Sequence, residues 1–363
     1  MKDIYFYIGI TIVFILLGLL IKKSKILFIA QVIWLSIICC FNIGGMDFLN
    51  NYYLFEDSNT PLKIFMDGFF GWGYRGLSYI FISHGYDFDF FNIAINLISI
   101  VLLIVFIRKY SKNPNIVMSY IYIYPMTDFV IQKRWFPAMV LLLFACMKLE
   151  EKLCIKNIIG YIILVILALG FHSAASLFFI FLIFKIIKSI FKINEKKLLI
   201  MILCLEMILI KVIPNYLGGF FGKEKVNLYF VQFAENSSML KFLCWTLVHI
   251  SFFVIIRLLR KWENKNEFLE KVYSLNFYSL MIIPFYLYDP VFIRIYRVFI
   301  IIDYICLTNN YVIKTKMSRS MCIRIFGVLG LVLIYGYIFY VSSLGAGFEE
   351  LVVPIFKDNS ILG

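Results

Sequence analysis

Cationic side chains that flank apolar segments are the residues of this chain best placed to do chemistry. Arg134 directly precedes a long apolar stretch, and Arg294 and Arg297 open another one further along the chain. A spacing of three residues places Arg294 and Arg297 on one face of a helix. Because a guanidinium offers a planar fork that fits phosphate oxygens, these arginines predict a phosphate site. The alternative is that each cation only reaches the lipid head groups at a helix end.

His172 lies between two apolar segments and is the histidine best placed to act with these arginines. The small residues from Ser173 to Ser176 follow it and leave room for a ligand. The chain has only three histidines, and none is paired at metal-ligand spacing, so the sequence predicts no metal site. A simple hydrogen bond from His172 to a neighbouring helix is the alternative.

The composition requires that membrane helices position these residues. Of the 363 residues, 62% are hydrophobic and only 16% are charged, whereas soluble globular proteins have about 45–50% and about 25%. The mean hydropathy of +0.89 excludes a soluble enzyme, a disordered protein and a nucleic-acid-binding module. The predicted fold class is therefore an all-α polytopic membrane protein, with a single membrane domain over residues 1–363.

Apolar stretches of about 20 residues are needed to cross a bilayer, and we count about twelve in this chain. The predicted spans cover residues 4–21, 26–43, 91–107, 115–128, 135–147, 157–170, 173–186, 198–213, 241–256, 274–288, 295–308 and 323–341. The short segments 115–128 and 157–186 could be counted differently.

The placement of Lys and Arg predicts which side each connection faces, because these residues accumulate in cytoplasmic loops. Six alternate connections hold 23 of the 35 Lys and Arg residues, which assigns these connections to the cytoplasm. An even number of spans then places both termini outside. The same topology places Arg134, His172, Arg294 and Arg297 at one membrane level, on the outer side.

Three outer segments are predicted to carry the functional surface: residues 44–90, 214–240 and 342–363. The first mixes Gly, aromatic and acidic residues. Its apolar pieces, 64–70 and 77–83, are too short to cross the membrane. We therefore expect them to form partial helices in the interface or just below it.

Polar residues inside the predicted spans need partners within the protein, because an unpaired charge is costly there. Asp303 lies in the eleventh span. We expect it to pair with an arginine such as Arg297 on the same helix, or to line a polar cavity. We expect His249, in the ninth span, to pack or to hydrogen-bond a neighbouring helix.

Several short motifs, taken in order, resemble the EpsG-like branch of the Wzy polymerases, which polymerise bacterial surface polysaccharides. The motifs are Gly45-Met46-Asp47-Phe48 with Tyr52 or Tyr53, Gly73-Tyr74-Arg75-Gly76-Leu77, Lys133-Arg134-Trp135-Phe136-Pro137-Ala138, Phe171-His172-Ser173-Ala174-Ala175, Arg294 to Phe299, and Val352-Val353-Pro354. Either Lys133 or Arg134 corresponds to the family's basic residue, since a Pro intervenes before the Ala. The resemblance covers nearly the whole chain and allows an arrangement like that of GT-C glycosyltransferases.

The resemblance implies an enzyme of the bacterial cytoplasmic membrane whose active site faces outward. Its donor and acceptor would be polyprenyl-pyrophosphate-linked oligosaccharides, and flippase and chain-length regulator proteins would be partners. It would be metal-independent and need no cofactor. The growing chain would leave its lipid pyrophosphate and join the terminal sugar hydroxyl of an incoming repeat unit.

The resemblance also implies a role for each matching residue. Arg134 and Arg294 would stabilise the departing pyrophosphate, and His172 or Asp47 would orient or deprotonate the hydroxyl. The residues that would bind pyrophosphate or glycan are Lys133, Arg297, Arg75, Tyr52, Tyr74, Trp72 and Trp135.

Two other classes of protein stay open at this point. One is a glycosyltransferase or ligase that uses polyprenyl-monophosphate sugars, with Asp47, Asp87 and Asp89 around a divalent metal. The other is a transporter of lipid-linked oligosaccharides. The sequence reveals neither a repeat between the halves nor a pair of interrupted helices of the kind that transporters show, and the predicted functional residues lie on one side only, which favours an enzyme.

The predicted topology can be tested by labelling single cysteines from the outer face of intact cells. We expect Asn59→Cys and Gly345→Cys to react with a membrane-impermeant maleimide, because both lie in predicted outer segments. Protection of either site until the membrane is permeabilised would contradict this orientation.

Overall fold

The fold is described by a computed structural model. The residues that it describes are 2–21, 23–45, 47–66, 70–209, 212, 227–232, 238–263, 266–309, 324, 327–341 and 347–362. Most of the predicted outer loop 214–240 and most of the basic connection 309–324 lie outside these residues.

Helices account for most of the first half of the chain. They are α1 (Lys2–Leu20), α2 (Lys25–Cys40), α3 (Phe48–Asp57), α4 (Trp72–Ser83), α5 (Phe88–Tyr110), α6 (Pro114–Ile123), α7 (Met126–Ile131), α8 (Trp135–Leu149) and α9 (Ile155–Leu169), with a 3-10 turn at Pro61–Phe65 between α3 and α4.

The second half continues in the same way. Its α-helices are α10 (Phe178–Phe191), α11 (Glu195–Leu209), α12 (Met239–Trp262), α13 (Glu267–Ser279), α14 (Ile293–Asn309), α15 (Val328–Tyr340), α16 (Phe348–Leu351) and α17 (Val353–Lys357). Shorter 3-10 segments lie at Ser173–Leu177, Leu280–Leu287 and Pro290–Phe292, and a π-helical turn lies at Leu228–Gln232. The described part of the chain contains no strand, which confirms the all-α prediction.

Three helices in the described ranges are long and apolar enough to cross a membrane: Phe88–Tyr110, Ser173–Phe191 and Met239–Trp262. Five shorter apolar helices accompany them: Ile4–Leu20, Lys25–Cys40, Trp135–Leu149, Ile155–Leu169 and Val328–Tyr340. The twelve complete crossings expected from the sequence therefore stay a prediction.

Two predicted spans are interrupted at a proline. The segment predicted at 115–128 is divided between α6 and α7, which a break at Tyr124 and Pro125 separates. The segment predicted at 274–288 begins in α13 and continues as the 3-10 segment Leu280–Leu287, with Pro284 inside it. A proline lacks the N–H that a continuing helix needs, so both interruptions have a local cause in the sequence.

Close packing of α1 against α6 depends on a glycine. A Cβ atom at Gly18 would overlap the side chains of Ser119 and Gln31 and lie 2.7 Å from the carbonyl oxygen of Asn115. The Ser119 hydroxyl donates to the carbonyl oxygen of Ile15 at 2.9 Å. Small residues let membrane helices approach closely enough for such hydrogen bonds.

Asn42, just beyond α2, joins α2 to α5 and to the C-terminal segment. Its side-chain amide donates to the carbonyl oxygens of Pro354 at 3.0 Å and Asp358 at 3.3 Å. The Asn92 amide of α5 donates to the carbonyl oxygen of Cys40 at 3.0 Å and to that of Asn42 at 3.4 Å. The predicted outer tail 342–363 is therefore docked, through its described part, against the end of α2.

We expect Gly18→Ala to destabilise the protein, because the added methyl group has no space between α1 and α6. Overpacking of this kind costs about 1–3 kcal/mol. Gly9→Ala is the matched control, since nothing lies within 4 Å of a Cβ there. Thermal unfolding of both variants in detergent would check it, and equal melting temperatures would contradict the packing argument.

Candidate functional site

His172 is held in a short turn between α9 and the 3-10 segment Ser173–Leu177. Its Nδ1 accepts a hydrogen bond from the backbone N–H of Ala174 at 3.1 Å. The ring is half-buried and lies edge-on to Trp135, with ring centroids 5.2 Å apart. Because Nδ1 is an acceptor here, the neutral ring carries its proton on Nε2.

The N-terminus of α4 is docked on the turn that precedes His172. The backbone N–H of Gly71 donates to the carbonyl oxygen of Leu169 at 3.1 Å, and that of Tyr74 donates to Gly170 at 2.9 Å. A Cβ atom at Gly73 would lie 3.0 Å from the Gly170 oxygen, so the two backbones need a glycine here. The first outer segment and the His172 turn therefore form one unit.

Trp72 and Trp135 lie against this unit, and Arg134 is within electrostatic range of its Tyr74. A Cβ atom at Gly170 would lie 3.0 Å from the Trp72 ring, so the indole covers the turn. Burial raises the pKa of Tyr74, and the nearby Arg134 guanidinium opposes that rise. The structure thus brings together three separate parts of the chain that the sequence analysis proposed for one site.

We define the outer cluster as Trp72, Tyr74, Arg134, Trp135 and His172. Two of its members are donors without partners in the described part of the structure, since the indole N–H groups of Trp72 and Trp135 are buried and make no hydrogen bond there. A histidine with Nε2–H and an arginine add further donors. A group rich in donors suits a ligand rich in oxygen atoms.

Arg297 lies deeper, inside the helix bundle. Its side chain is 4% exposed and forms an ion pair with Asp128, which is equally buried, at 2.7 Å between Nη1 and Oδ1. Its Nε donates to the hydroxyl of Tyr124, and its guanidinium lies 5.0 Å from the centre of the Phe339 ring. The sequence analysis expected this arginine to bind pyrophosphate, and the structure shows it bound to the protein.

Arg294 lies one turn before Arg297 on α14 and is half-buried. Its Nε donates to the carbonyl oxygen of Val291 at 3.1 Å. The guanidinium is within electrostatic range of Asp128 and of Asp289. The Asp128 carboxylate therefore interacts electrostatically with both Arg294 and Arg297, as expected for two residues on one helix face.

Lys133 differs from its neighbour Arg134 in burial. Lys133 is 1% exposed, and its Nζ donates to the carbonyl oxygen of Asn42 at 2.9 Å. Arg134 is half-buried, and its guanidinium is within electrostatic range of Tyr74. Of the two cations that the sequence could not distinguish, Lys133 joins the end of α2 to the start of α8, whereas Arg134 belongs to the outer cluster.

Asp47 directly precedes α3, and Tyr52 lies in its second turn. Asp47 is half-buried at the start of the helix, and its carboxylate makes no hydrogen bond or ion pair within the described ranges. Tyr52 is 37% exposed and lies edge-on to Phe88. Neither residue is linked to the outer cluster by a direct contact, but the Tyr74 hydroxyl donates to the carbonyl oxygen of Asn51 in the same helix at 3.2 Å.

Arg75 is buried in the first turn of α4 and connects several parts of the outer segment. Its Nη1 forms an ion pair with Asp57 at 2.9 Å, and Lys63 pairs with the same carboxylate at 2.7 Å. These two cations lower the pKa of Asp57. The expected contact of Arg75 with substrate stays a prediction, while its observed contact joins α3, the Pro61–Phe65 turn and α4.

Exposure separates the predicted site residues into two groups. The four residues predicted to be catalytic, His172, Arg134, Arg294 and Asp47, are all half-buried. Most of those predicted to bind substrate have almost no exposed surface. The buried ones are Lys133, Arg297, Arg75, Tyr74 and Trp135.

Asp128 is the main residue of this region that the sequence analysis missed. It is an acid inside a predicted span, and such a residue must have a partner in the protein. That signal was present in the sequence, because Asp128 lies within the predicted span 115–128, six residues before Arg134. What could not be read from the sequence is that its partner is Arg297, 169 residues away.

Other polar residues have structural partners. Asp303 accepts from the Asn276 amide at 2.5 Å and from the Tyr296 hydroxyl at 3.3 Å, so the suggested pairing with Arg297 was wrong. His249 bonds Tyr286 and Ser279 on neighbouring segments, which confirms its predicted helix-bonding role.

The D-x-D pair Asp87 and Asp89 lies at the start of α5. The Asp87 carboxylate caps this helix by accepting from the N–H of Phe90 at 2.9 Å, a usual role for Asp before a helix. Among the described residues, no three His, Cys, Asp or Glu side chains form a group that could hold a cation.

Comparison with protein-family models identifies the family to which the chain belongs. The model of the EpsG family matches residues 25–354, which includes every site residue described above. The chain belongs to the EpsG family. Membership of this family and the apolar helices indicate a membrane-embedded protein. Comparisons with curated proteins and with solved structures gave no match.

The EpsG family is associated with glycosyltransferase-like polymerase activity and with exopolysaccharide synthesis.

The Asp57 ion pairs predict an acid-sensitive outer segment. A carboxyl whose pKa is lowered by folding stabilises the protein above its ordinary pKa, and this contribution is lost as the pH falls through the lowered value. We expect Asp57→Asn to destabilise α4, since the buried Arg75 loses its counter-charge, and to abolish this acid sensitivity. The matched control is Glu56→Gln, because Glu56 is exposed and has no partner in the described structure. Limited proteolysis of the outer segment against pH would check it, and equal cleavage of both variants would contradict it.

Proposed function

We propose that this EpsG-family protein polymerises polyprenyl-pyrophosphate-linked oligosaccharides at the outer face of the membrane. The hydroxyl oxygen of the terminal sugar on one lipid-linked repeat unit attacks the anomeric carbon of the growing chain. The bond between that carbon and the pyrophosphate oxygen breaks. The hydroxyl proton passes to a base, and the negative charge collects on the lipid pyrophosphate.

The observation that carries this proposal is the outer cluster, where three separate parts of the chain meet around His172. It offers an arginine and a histidine Nε2–H, both of which are donors on half-buried side chains. Donors aimed at an oxyanion favour the transition state when negative charge develops on the leaving group. A departing pyrophosphate is such a group.

His172 acts in this proposal as a hydrogen-bond donor rather than as a base. Its Nδ1 lone pair is engaged by the N–H of Ala174, so Nε2 carries the proton in the neutral ring. A nitrogen that already holds a proton cannot accept one from the sugar hydroxyl. It can donate to a pyrophosphate oxygen or to the hydroxyl oxygen and so orient it.

Asp47 is the base in this proposal. Its carboxylate is half-buried and has no hydrogen bond or ion pair in the described part of the chain, so a lone pair remains for the hydroxyl proton. A general base needs to reach the proton within hydrogen-bond distance. The bond from Tyr74 to Asn51 couples the helix of Asp47 to the outer cluster.

Arg134 and Arg294 are the cations that we assign to the pyrophosphate. Both are half-buried, which leaves surface for a ligand and reduces competition from water. A bond between a guanidinium and a phosphate is charge-assisted and stronger than a neutral hydrogen bond. Half-buried Trp72 and exposed Tyr52 are the aromatic residues that could contact the glycan.

The activity is tested by incubating purified protein in nanodiscs with polyprenyl-pyrophosphate-linked repeat units. A polymerase produces a ladder of lengthening products, and the ladder should persist with a chelator. A single added unit would indicate a ligase or transferase. Movement of the lipid-linked unit without a product would indicate a transporter, and either result would overturn the proposal.

The role of His172 is tested by two amides that imitate different ring nitrogens. His172→Gln places an N–H near the position of Nε2 and should keep part of the activity. His172→Asn replaces only the Nδ1 side and should lose about 10²–10³-fold in rate, as His172→Ala should. If Gln is as inactive as Ala while both proteins fold and bind donor, His172 is not the donor that we propose.

A further inference from the structure

The C-terminal segment, which we define as residues 347–362, is bound to the chain just beyond α2 by backbone hydrogen bonds. The N–H of Ile43 donates to the carbonyl oxygen of Asp358 at 2.7 Å, and the N–H of Ser360 donates to that of Phe41 at 2.8 Å. Together they form an isolated antiparallel bridge. The position of residues 41–43 therefore depends on a segment more than 300 residues further along the chain.

Asn42, in the middle of this bridge, forms hydrogen bonds in two directions. Its side-chain amide donates to the carbonyl oxygens of Pro354 and Asp358 in the C-terminal segment. Its own carbonyl oxygen accepts from the Lys133 ammonium at 2.9 Å and from the Asn92 amide at 3.4 Å. One buried residue thus connects the C-terminal segment to Lys133.

The bond from Lys133 fixes the start of α8. Lys133 is 1% exposed, so water does not compete for its ammonium, and a bond from a charged donor is stronger than a neutral one. Arg134 is the next residue, and the N–H groups of Trp135 and Phe136 donate to the carbonyl oxygen of Gln132 at 2.9 Å and 3.0 Å. The direction in which the Arg134 side chain leaves the backbone therefore depends on where Lys133 is held.

We propose that Asn42 and Lys133 are positioning residues, through which the C-terminal segment holds Arg134 in place for the lipid pyrophosphate. This inference rests on the proposed function and deepens it, because it adds the C-terminal segment to the support of the site. Asn42 and Lys133 are each 1% exposed. In this proposal they act through Arg134 and do not contact the substrate.

Hydrogen–deuterium exchange of the whole protein in nanodiscs tests the positioning without any substrate. Asn42→Ala keeps the backbone carbonyl group but removes the amide that binds the C-terminal segment, and Lys133→Met removes the bond to that carbonyl. We expect the peptide of residues 132–138 to exchange about two- to tenfold faster in both variants, since each loses one buried hydrogen bond. Unchanged exchange in both variants would overturn the proposal.

Ladder synthesis tests the consequence for the reaction. We expect each substitution to lower kcat by up to about 10²-fold, as a small misplacement of a catalytic group can, and to change KM little, because Arg134 acts on charge that develops in the transition state. Both changes interrupt one path, so the double variant should be no slower than the slower single variant. Losses that multiply to about 10⁴-fold would show two independent effects and contradict the proposal.

Two further variants separate positioning from substrate contact. Ending the chain at Lys357 removes the bonds of Asp358 and Ser360 and should reproduce Asn42→Ala in both measurements, so wild-type exchange and rate in this protein would overturn the proposal. Lys133→Arg keeps a charged donor and should restore both to within about tenfold of the wild type. If it restores slow exchange but not the rate, Lys133 contacts the substrate itself and the proposal is wrong.

Asn113→Ala is the matched control for stability. Asn113 is 4% exposed and its amide donates to the carbonyl oxygen of Thr308 at 2.6 Å, in a connection predicted to face the cytoplasm. It should lower the melting temperature but leave kcat and the exchange of residues 132–138 unchanged. If Asn113→Ala speeds that exchange as much as Asn42→Ala does, the effect is general destabilisation and the proposal fails. A wild-type protein that makes no ladder would contradict the proposed function, while the exchange measurement still tests the positioning.

Discussion

A charge among apolar helices needs its counter-charge inside the protein, and Arg297 and Asp128 meet this requirement for each other. Removing one partner of such a buried pair costs about 3–5 kcal/mol, because the remaining charge has no water to solvate it. The pair joins α14 to the interrupted helix α6–α7. It also distinguishes the two arginines on α14, because Arg297 is enclosed by the pair whereas Arg294 stays half-buried.

On the predicted outer side, it is hydrogen bonds to backbone groups that join the helices. The turn before His172 accepts N–H groups from the start of α4, and Asn42 connects α2, Lys133 and the C-terminal segment. Buried backbone groups must be paired, so each of these contacts restricts where the neighbouring side chains can lie. The outer cluster is positioned by this framework, although its five members come from distant parts of the sequence.

Much of the fold could be predicted, because hydrophobic composition and helix length are local properties. The all-α class follows from them, and so does the partly helical nature of segment 44–90, where α3 and α4 lie. The helix breaks were harder to foresee. Pro125 and Pro284 were visible in the sequence, but the span length alone suggested continuous helices, and the number of complete crossings cannot be derived from apolar stretches of 13 to 17 residues.

For the candidate site, the sequence determined which residue types were available and that several lie at the ends of apolar segments. It could not distinguish Lys133 from Arg134, or Arg294 from Arg297, because adjacent cations on one segment have the same local signal. The tertiary structure separates them by their partners: Lys133 binds the Asn42 carbonyl and Arg297 binds Asp128, while Arg134 and Arg294 stay half-buried. Burial and pairing depend on atoms that are distant in the chain, and for that reason they are decided only when the helices pack.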